Sequence, residues 1–294
     1  MGEEEVKQEE KEEKEKPKEK LKEELKLSFD YFNESRLGIF ALIIGILIAI
    51  FPGLPAFIKG IGMMIVFVWG ADSVRKTARY GLGTGVPSIG VLAMGLGIVG
   101  GITGIAVASL SFGTLVVGGV EIAFGVLAGV ALLALLGFVS GNLANGDKFI
   151  NMKIPGLERG MTELGIAGTL VVLIETSLVA GTYDITVVMP NVINNGLIAA
   201  IFIISAFGML QPYNTCLGAD ERRGRTLLMS IEIGGIASII LGIATTLILS
   251  AVQGVPLIVL GTVVWVVFYR AYMKACMAEA YATPGTGLIK TLGG

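Results

Sequence analysis

The chain has 294 residues, 53% hydrophobic and only 16% charged, with 42 glycines, a net charge of −2 and a mean hydropathy of +0.78. Soluble domains average about 7% glycine and about 25% charged residues, and several apolar runs here exceed the ~18 residues that mark a membrane span, so the composition excludes a soluble enzyme and points to a polytopic membrane protein. Histidine is absent and cysteine occurs only as Cys216 and Cys276, which excludes a self-contained Cys/His zinc site, a histidine base and a histidine ligand to a cofactor metal from this chain.

Two isolated cysteines are no disulfide framework, and free thiols are expected. No metal or cofactor is expected on this chain alone, and nucleic acid is not among the expected partners.

Residues 1–36 form the first region, a Glu/Lys-rich tail holding 13 of the 24 acids and 9 of the 22 cations. A run with so little apolar content cannot bury a core and reads as a solvated cytoplasmic tether or a fraying helix. The last turns, from Leu21 to Phe32, can lie at the membrane interface. No signal peptide is expected, because a basic stretch followed by an apolar core and small residues is missing from the start.

Residues 37–294 form the second region, an all-α transmembrane helical domain. Eight apolar segments follow one another: Leu37–Phe51, Ala56–Ala71, Val86–Ser109, Gly113–Val139, Glu163–Thr182, Val192–Leu210, Leu227–Gln253 and Val255–Phe268. The first two are short and joined by FPGLP, so a hairpin, a re-entrant pair or one broken span all fit, and seven spans is the alternative count. Twelve of the 13 cations after the tail fall in connections 72–85, 140–162 and 211–226 and in the C-terminal tail, whereas 52–55, 110–112, 183–191 and 254 have none. Under the positive-inside rule this alternation predicts a multi-pass protein of the cell membrane with both termini cytoplasmic. The exception, Lys59, is expected to snorkel to the interface. Gly97 and Gly101, Gly100 and Gly104, and Gly125 and Gly129 have the small-xxx-small spacing that lets helix backbones approach closely in lipid.

Arg75–Ser88, RKTARYGLGTGVPS, is a basic, glycine-rich connection ahead of a helix. Arg75, Lys76 and Arg79 precede Gly81, Gly83 and Gly85, and Pro87 opens the next segment. Free N–H groups at a helix start favour an anion. A turn whose cations only set orientation fits the same residues. In the connection Gln211–Thr226, Arg222, Arg223 and Arg225 offer a docking surface for an acidic partner or anionic lipid, and topology alone is again the alternative. In KIPGLERGMTE, Pro155 and Gly156 make a turn, with Glu163 expected in the first turn of the next helix.

Three carboxylates lie in apolar segments. Glu121 and Glu175 are expected near mid-membrane, and Glu232 nearer the cytoplasmic side. A charge at a helix centre costs about 2.5–3.5 kcal/mol on insertion scales, so such groups face protein, water or a cation. All three are candidates for an ion path, with sodium as the candidate ion. A protonated or hydrogen-bonded carboxyl that fixes helix packing is the other reading of each.

Trp69–Gly90 (WGADSVRKTARYGLGTGVPSIG) and Gln211–Glu221 (QPYNTCLGADE), in that order in a glycine-rich membrane chain, resemble the C subunit of the tetrahydromethanopterin S-methyltransferase complex of methanogenic archaea. The resemblance covers roughly Leu37 to the C-terminus, while the Glu/Lys tail departs from the family's short N-terminus. It implies a membrane subunit of a sodium-motive methyltransferase, with sister large membrane subunits and a cobamide-carrying subunit as partners. That complex moves a methyl group from methyl-tetrahydromethanopterin to the cobamide and then to the thiol of coenzyme M, coupling the second transfer to sodium export. The resemblance assigns no catalytic residue here. A stand-alone secondary transporter or ion-channel subunit with midplane carboxylates is the alternative function.

Overall fold

A computed structural model describes residues 36–80, 97, 99–110, 113–147, 151, 153–215 and 223–282. The chain divides into two units, Met1–Phe40 and Ala41–Gly294. Of the first, only the opening turn of α1 is described. The second holds the helical bundle.

The elements run α1 (Arg36–Ile50), α2 (Ala56–Tyr80), α3 (Val99–Ala108), strands β1 (Leu115–Val117) and β2 (Val120–Ile122), α4 (Gly125–Asn145) and α5 (Leu157–Ala180). Next come the short α6 (Ile185–Val188), a π-helical turn at Met189–Ile193, α7 (Leu197–Thr215), α8 (Arg223–Ile248) and α9 (Ala251–Ala282). Five of these helices are long and apolar enough to cross a membrane, or six if the bent pair Ile185–Ile193 and Leu197–Pro212, kinked by 77°, is one span. The fold is an all-α polytopic bundle. Each of the eight apolar segments contributes a helix, though α1 and α3 are described as shorter ones.

Helix α5 is the centre. Every residue from Leu164 to Ala180 is buried, because its sequence is apolar or small on all sides. At about 1.5 Å per residue its 24 residues are long enough to cross a hydrocarbon core of about 30 Å. Helices α2, α4, α7 and α8 pack around it. By contrast α9 buries only 17% of its apolar window and touches mainly α8 and α2.

Glycine sets the closest approaches. Gly129 of α4 lies against the backbone of Gly100 and Gly104, Gly125 against Ala108, and Gly97 against Gly168 of α5. A Cβ at Gly97 would stand 2.9 Å from the Gly168 carbonyl carbon, and one at Gly137 would stand 2.6 Å from Met161 O. The small-xxx-small pairs thus let α3 meet α4 backbone to backbone, while Gly101 and Gly104 take the Val172 and Leu173 side chains of α5, and dispersion does the packing.

Three expectations are corrected. Gly113–Val139 is not one continuous helical segment: a two-stranded antiparallel hairpin, Leu115 opposite Ile122 and Val117 opposite Val120, precedes α4. Its turn, Gly118–Gly119, has φ of 58° and 82°, the left-handed pair that a two-residue hairpin turn between β-branched residues needs. The α8–α9 turn falls at Leu249–Ser250, so Gly254 lies inside α9. Glu163 sits in the second turn of α5, because the helix opens at Leu157 and Glu158 takes the first turn.

The described parts of the two sets of connections lie at opposite ends of the bundle, Arg75, Lys76, Arg159 and Arg223 at one and Lys59, Ala123 and Tyr183 at the other. At the cation-free end Ala123 N–H donates to Ile50 O (2.8 Å), Ser109 Oγ to Tyr183 O (2.6 Å) and Thr245 Oγ1 to Leu178 O (3.1 Å). The Tyr183 hydroxyl, fully buried, lies 2.9 Å from Ala49 O, and burial holds its pKa well above the usual phenol range. At the other end Asn145 pairs through both amide atoms with Ile154, closing the α4–α5 connection.

Candidate functional site

The cationic end is built on two acids that no sequence motif marks as functional. Asp72, near the end of α2, is fully buried. Arg75 Nε lies 3.2 Å from Asp72 Oδ1, Lys76 Nζ 3.5 Å from Oδ2, and Arg223 donates from Nε to Oδ1 (3.0 Å) and from Nη2 to Oδ2 (3.1 Å). Glu163 of α5 accepts from Ser73 Oγ (2.6 Å), Trp69 Nε1 (3.3 Å) and Arg159 Nε (2.8 Å), with Lys76 Nζ at 3.6 Å. Lys76 joins the two acids. Charged hydrogen bonds of this kind are shorter and stronger than neutral ones, and they offset part of the desolvation each group suffers.

The structure thus gathers Arg75, Lys76 and Arg223, which the sequence placed in two separate loops, onto one carboxylate. Chemically this is a multi-helix ionic clamp, four cations on two acids, tying α2, α5 and α8. Arg75 and Lys76 both pair with the buried carboxylate of Asp72. Arg225 lies partly buried in the first turn of α8. The side chain of Arg79, together with Gly81, Gly83, Gly85 and Arg222, lies outside the described residues. A sequence signal for Asp72 existed: WGADSVRK puts cations at i+3 and i+4 from it on a helix, the spacing at which side chains meet.

The three apolar-segment carboxylates have different surroundings. Glu121 lies in β2, opposite Val116, and not in a helix at mid-membrane. It accepts from Thr182 Oγ1 (3.0 Å) at the cation-free end. That placement corrects the expectation, and the reason is the Gly-Gly hairpin. Glu232 on α8 is partly exposed and takes a hydrogen bond from Trp265 of α9, while its Oε2 has no partner among the described residues. Glu175 is fully buried in α5. Its Oε2 accepts from Ser205 Oγ of α7 (3.0 Å), and its Oε1 has no hydrogen-bond partner among the described residues. The neighbouring hydroxyls of Thr176 and Ser177 donate to carbonyls of their own helix instead.

Lys59 does not snorkel. It is 2% exposed, and its ammonium donates to Pro52 O (2.8 Å) and Ser177 O (2.6 Å) at the cation-free end. Beyond α5, exposed Asp184 caps α6, and hydrogen bonds from the Thr186 hydroxyl and backbone N–H hold its carboxyl below the usual range. Cys276 is a free thiol. Among the described residues no three His, Cys, Asp or Glu side chains gather to hold a metal.

Long apolar helices, buried ionic groups at one end and a carboxylate sealed in the central helix define a multi-pass membrane protein. The sequence model of one family, described as the C subunit of tetrahydromethanopterin S-methyltransferase, matches residues 27–291. Relatives carrying that name include one from Methanosarcina mazei, 43% identical over 254 residues, covering 86% of this chain and 90% of the relative. One from Methanothermobacter marburgensis is 35% identical over 259 residues (87% and 92%), and one from Methanococcus maripaludis 34% identical over 245 residues (83% and 87%). The chain belongs to the family of tetrahydromethanopterin S-methyltransferase C subunits, and is thereby a subunit of a multisubunit methyltransferase complex.

Proposed function

We propose that this chain is an integral subunit of the sodium-translocating form of that enzyme, in the cell membrane with both termini cytoplasmic. In this role the complex transfers a methyl group from methyl-tetrahydromethanopterin through a cobamide on a partner subunit to coenzyme M. The observation that carries the reading is similarity to the C-subunit family over residues 27–291 in a chain with no histidine. Such a chain offers no imidazole to cobalt, so it serves the reaction as membrane scaffold and ion-handling partner. The gathering of Arg75, Lys76, Arg159 and Arg223 at one end supports the orientation, since cytoplasmic ends carry the excess of Lys and Arg.

Within the chain, Glu175 is the residue best suited to meet sodium. It sits in the most buried helix with one carboxylate oxygen unpartnered among the described residues, and a cation there would offset the cost of its burial. Glu121 and Glu232 are less suited, one held in an end hairpin and the other on a helix less buried than α5. The glycine connection at Gly81, Gly83 and Gly85 remains the candidate for admitting the sulfonate of coenzyme M or receiving the cobamide domain. Replacing Gly83 and Gly85 by Val should raise the coenzyme M requirement, and unchanged kinetics in an intact complex would remove that role.

A pull-down in mild detergent tests the membership. The chain should bring down other large membrane subunits and a protein with a corrinoid spectrum. Recovery only of copies of itself would overturn the proposal.

A further inference from the structure

Lys59 presents an unbalanced charge. Its ammonium has three N–H donors, of which Pro52 O and Ser177 O take two, and no ion pair joins it to any described carboxylate. Two carbonyl dipoles offset only part of the cost of burying a cation, which amounts to several kcal/mol. The residue lines a cleft of about 330 Å³ at the cation-free end, together with Pro52, Gly181, Leu249, Ser250 and Gln253.

The other polar groups of the cleft are suited to donate. Gln253 spends its carbonyl oxygen on Ala56 N–H (2.9 Å), which leaves the amide nitrogen without another bond among the described residues. The Ser250 hydroxyl likewise carries none there. Helices α2 and α9 both begin at this cleft, at Ala56 and Ala251, so the positive ends of two helices add to the ammonium. An ammonium, an amide nitrogen and a hydroxyl around one cleft match the oxygens of a phosphate.

The surroundings decide which phosphate. Phe57 (44% exposed) and Ile61 (43%) on α2, and Val252 (82%) and Val255 (47%) on α9, leave apolar surface on the two helices that flank the cleft. Such a rim gains nothing from a free phosphate ion but buries well against hydrocarbon chains. We propose that the Lys59 cleft binds the phosphate headgroup of one membrane lipid, its chains lying along α2 and α9. This inference is independent of methyl transfer and of the sodium reading.

The test uses the assembled protein in mild detergent, titrated with dioleoyl phosphatidylglycerol and followed by native mass spectrometry. Wild type should retain one saturable lipid per copy beyond the number retained by Lys59→Met, with affinity falling about tenfold in the variant, the equivalent of ~1.4 kcal/mol. Dioleoylglycerol, which lacks the phosphate, should not occupy the site, and a large excess of inorganic phosphate should not displace the lipid. Equal retention by Lys59→Met, equal binding of dioleoylglycerol, or displacement by inorganic phosphate would each overturn the proposal. Should Lys59→Met fail to assemble, Ser250→Ala carries the test, since that hydroxyl makes no bond among the described residues. Its lipid affinity should fall with assembly unchanged, and wild-type affinity would refute the site.

Discussion

Removing the Asp72 carboxylate tests whether the ionic clamp is one unit. Asp72→Asn keeps the shape but leaves Arg75, Lys76 and Arg223 facing a neutral amide at a position that is itself fully buried. Breaking a buried pair from one side costs about 3–5 kcal/mol, because the orphaned charge stays desolvated. Arg223→Met should cost less, about 1–3 kcal/mol, the worth of hydrogen bonds to a charged group, since Arg75 and Lys76 still neutralise Asp72 and the Arg223 side chain is 34% exposed. In the double variant the losses should fall short of their sum by about 1 kcal/mol or more, as they do for residues of one network. The assay is reversible unfolding of the assembled protein in mixed detergent, read as a shift in midpoint for wild type, each single variant and the double. Strict additivity, or a larger loss for Arg223→Met than for Asp72→Asn, would refute the clamp.

Other outcomes are equally checkable. Glu175→Gln should leave the amount of assembled complex near wild type and abolish sodium stimulation of methyl transfer to coenzyme M, with cobamide methylation continuing. Sodium pumping at the wild-type ratio in vesicles would exclude Glu175 from the path. Gly137→Val should cost several kcal/mol and reduce assembly, because its side chain would be driven into the Met161 carbonyl, whereas Gly224→Ala, with nothing within 4 Å of the added methyl, should be neutral or stabilising by about 0.4–1 kcal/mol in a thermal melt. On a background lacking Cys216 and Cys276, a cysteine at Gly118 should react with an impermeant thiol reagent from outside and one at Thr84 only from the cytoplasm. The reverse pattern would invert the orientation.

What the sequence determined by itself was whatever depends on transfer energy and local pattern. Long apolar runs fix the helical membrane class, because no other way of satisfying the backbone is open in lipid except a closed barrel. The small-xxx-small glycines marked where backbones can approach closely, since only a missing Cβ permits it, but not which helices would meet. Alternation of cations along the chain grouped Arg75, Lys76, Arg159 and Arg223, which the structure gathers at one end. The family was legible in two motifs, even though both run partly outside the described residues.

Tertiary structure decided how these pieces meet. Asp72 and Arg223 are 151 positions apart, and no local period links α2 to the start of α8. Lys59 looked like a surface cation because its segment is apolar, yet the end of α5 and the turn at Pro52 bring carbonyls to it from 118 and 7 positions away. Glu121 and Glu175 were indistinguishable as lone acids in apolar runs. A Gly-Gly turn carries the first into a hairpin at the end of the bundle, while helices packed on every side seal the second inside α5. Hydropathy measures each segment against lipid, but the fate of a buried charge is set by the atoms that surround it, and those come from elsewhere in the chain.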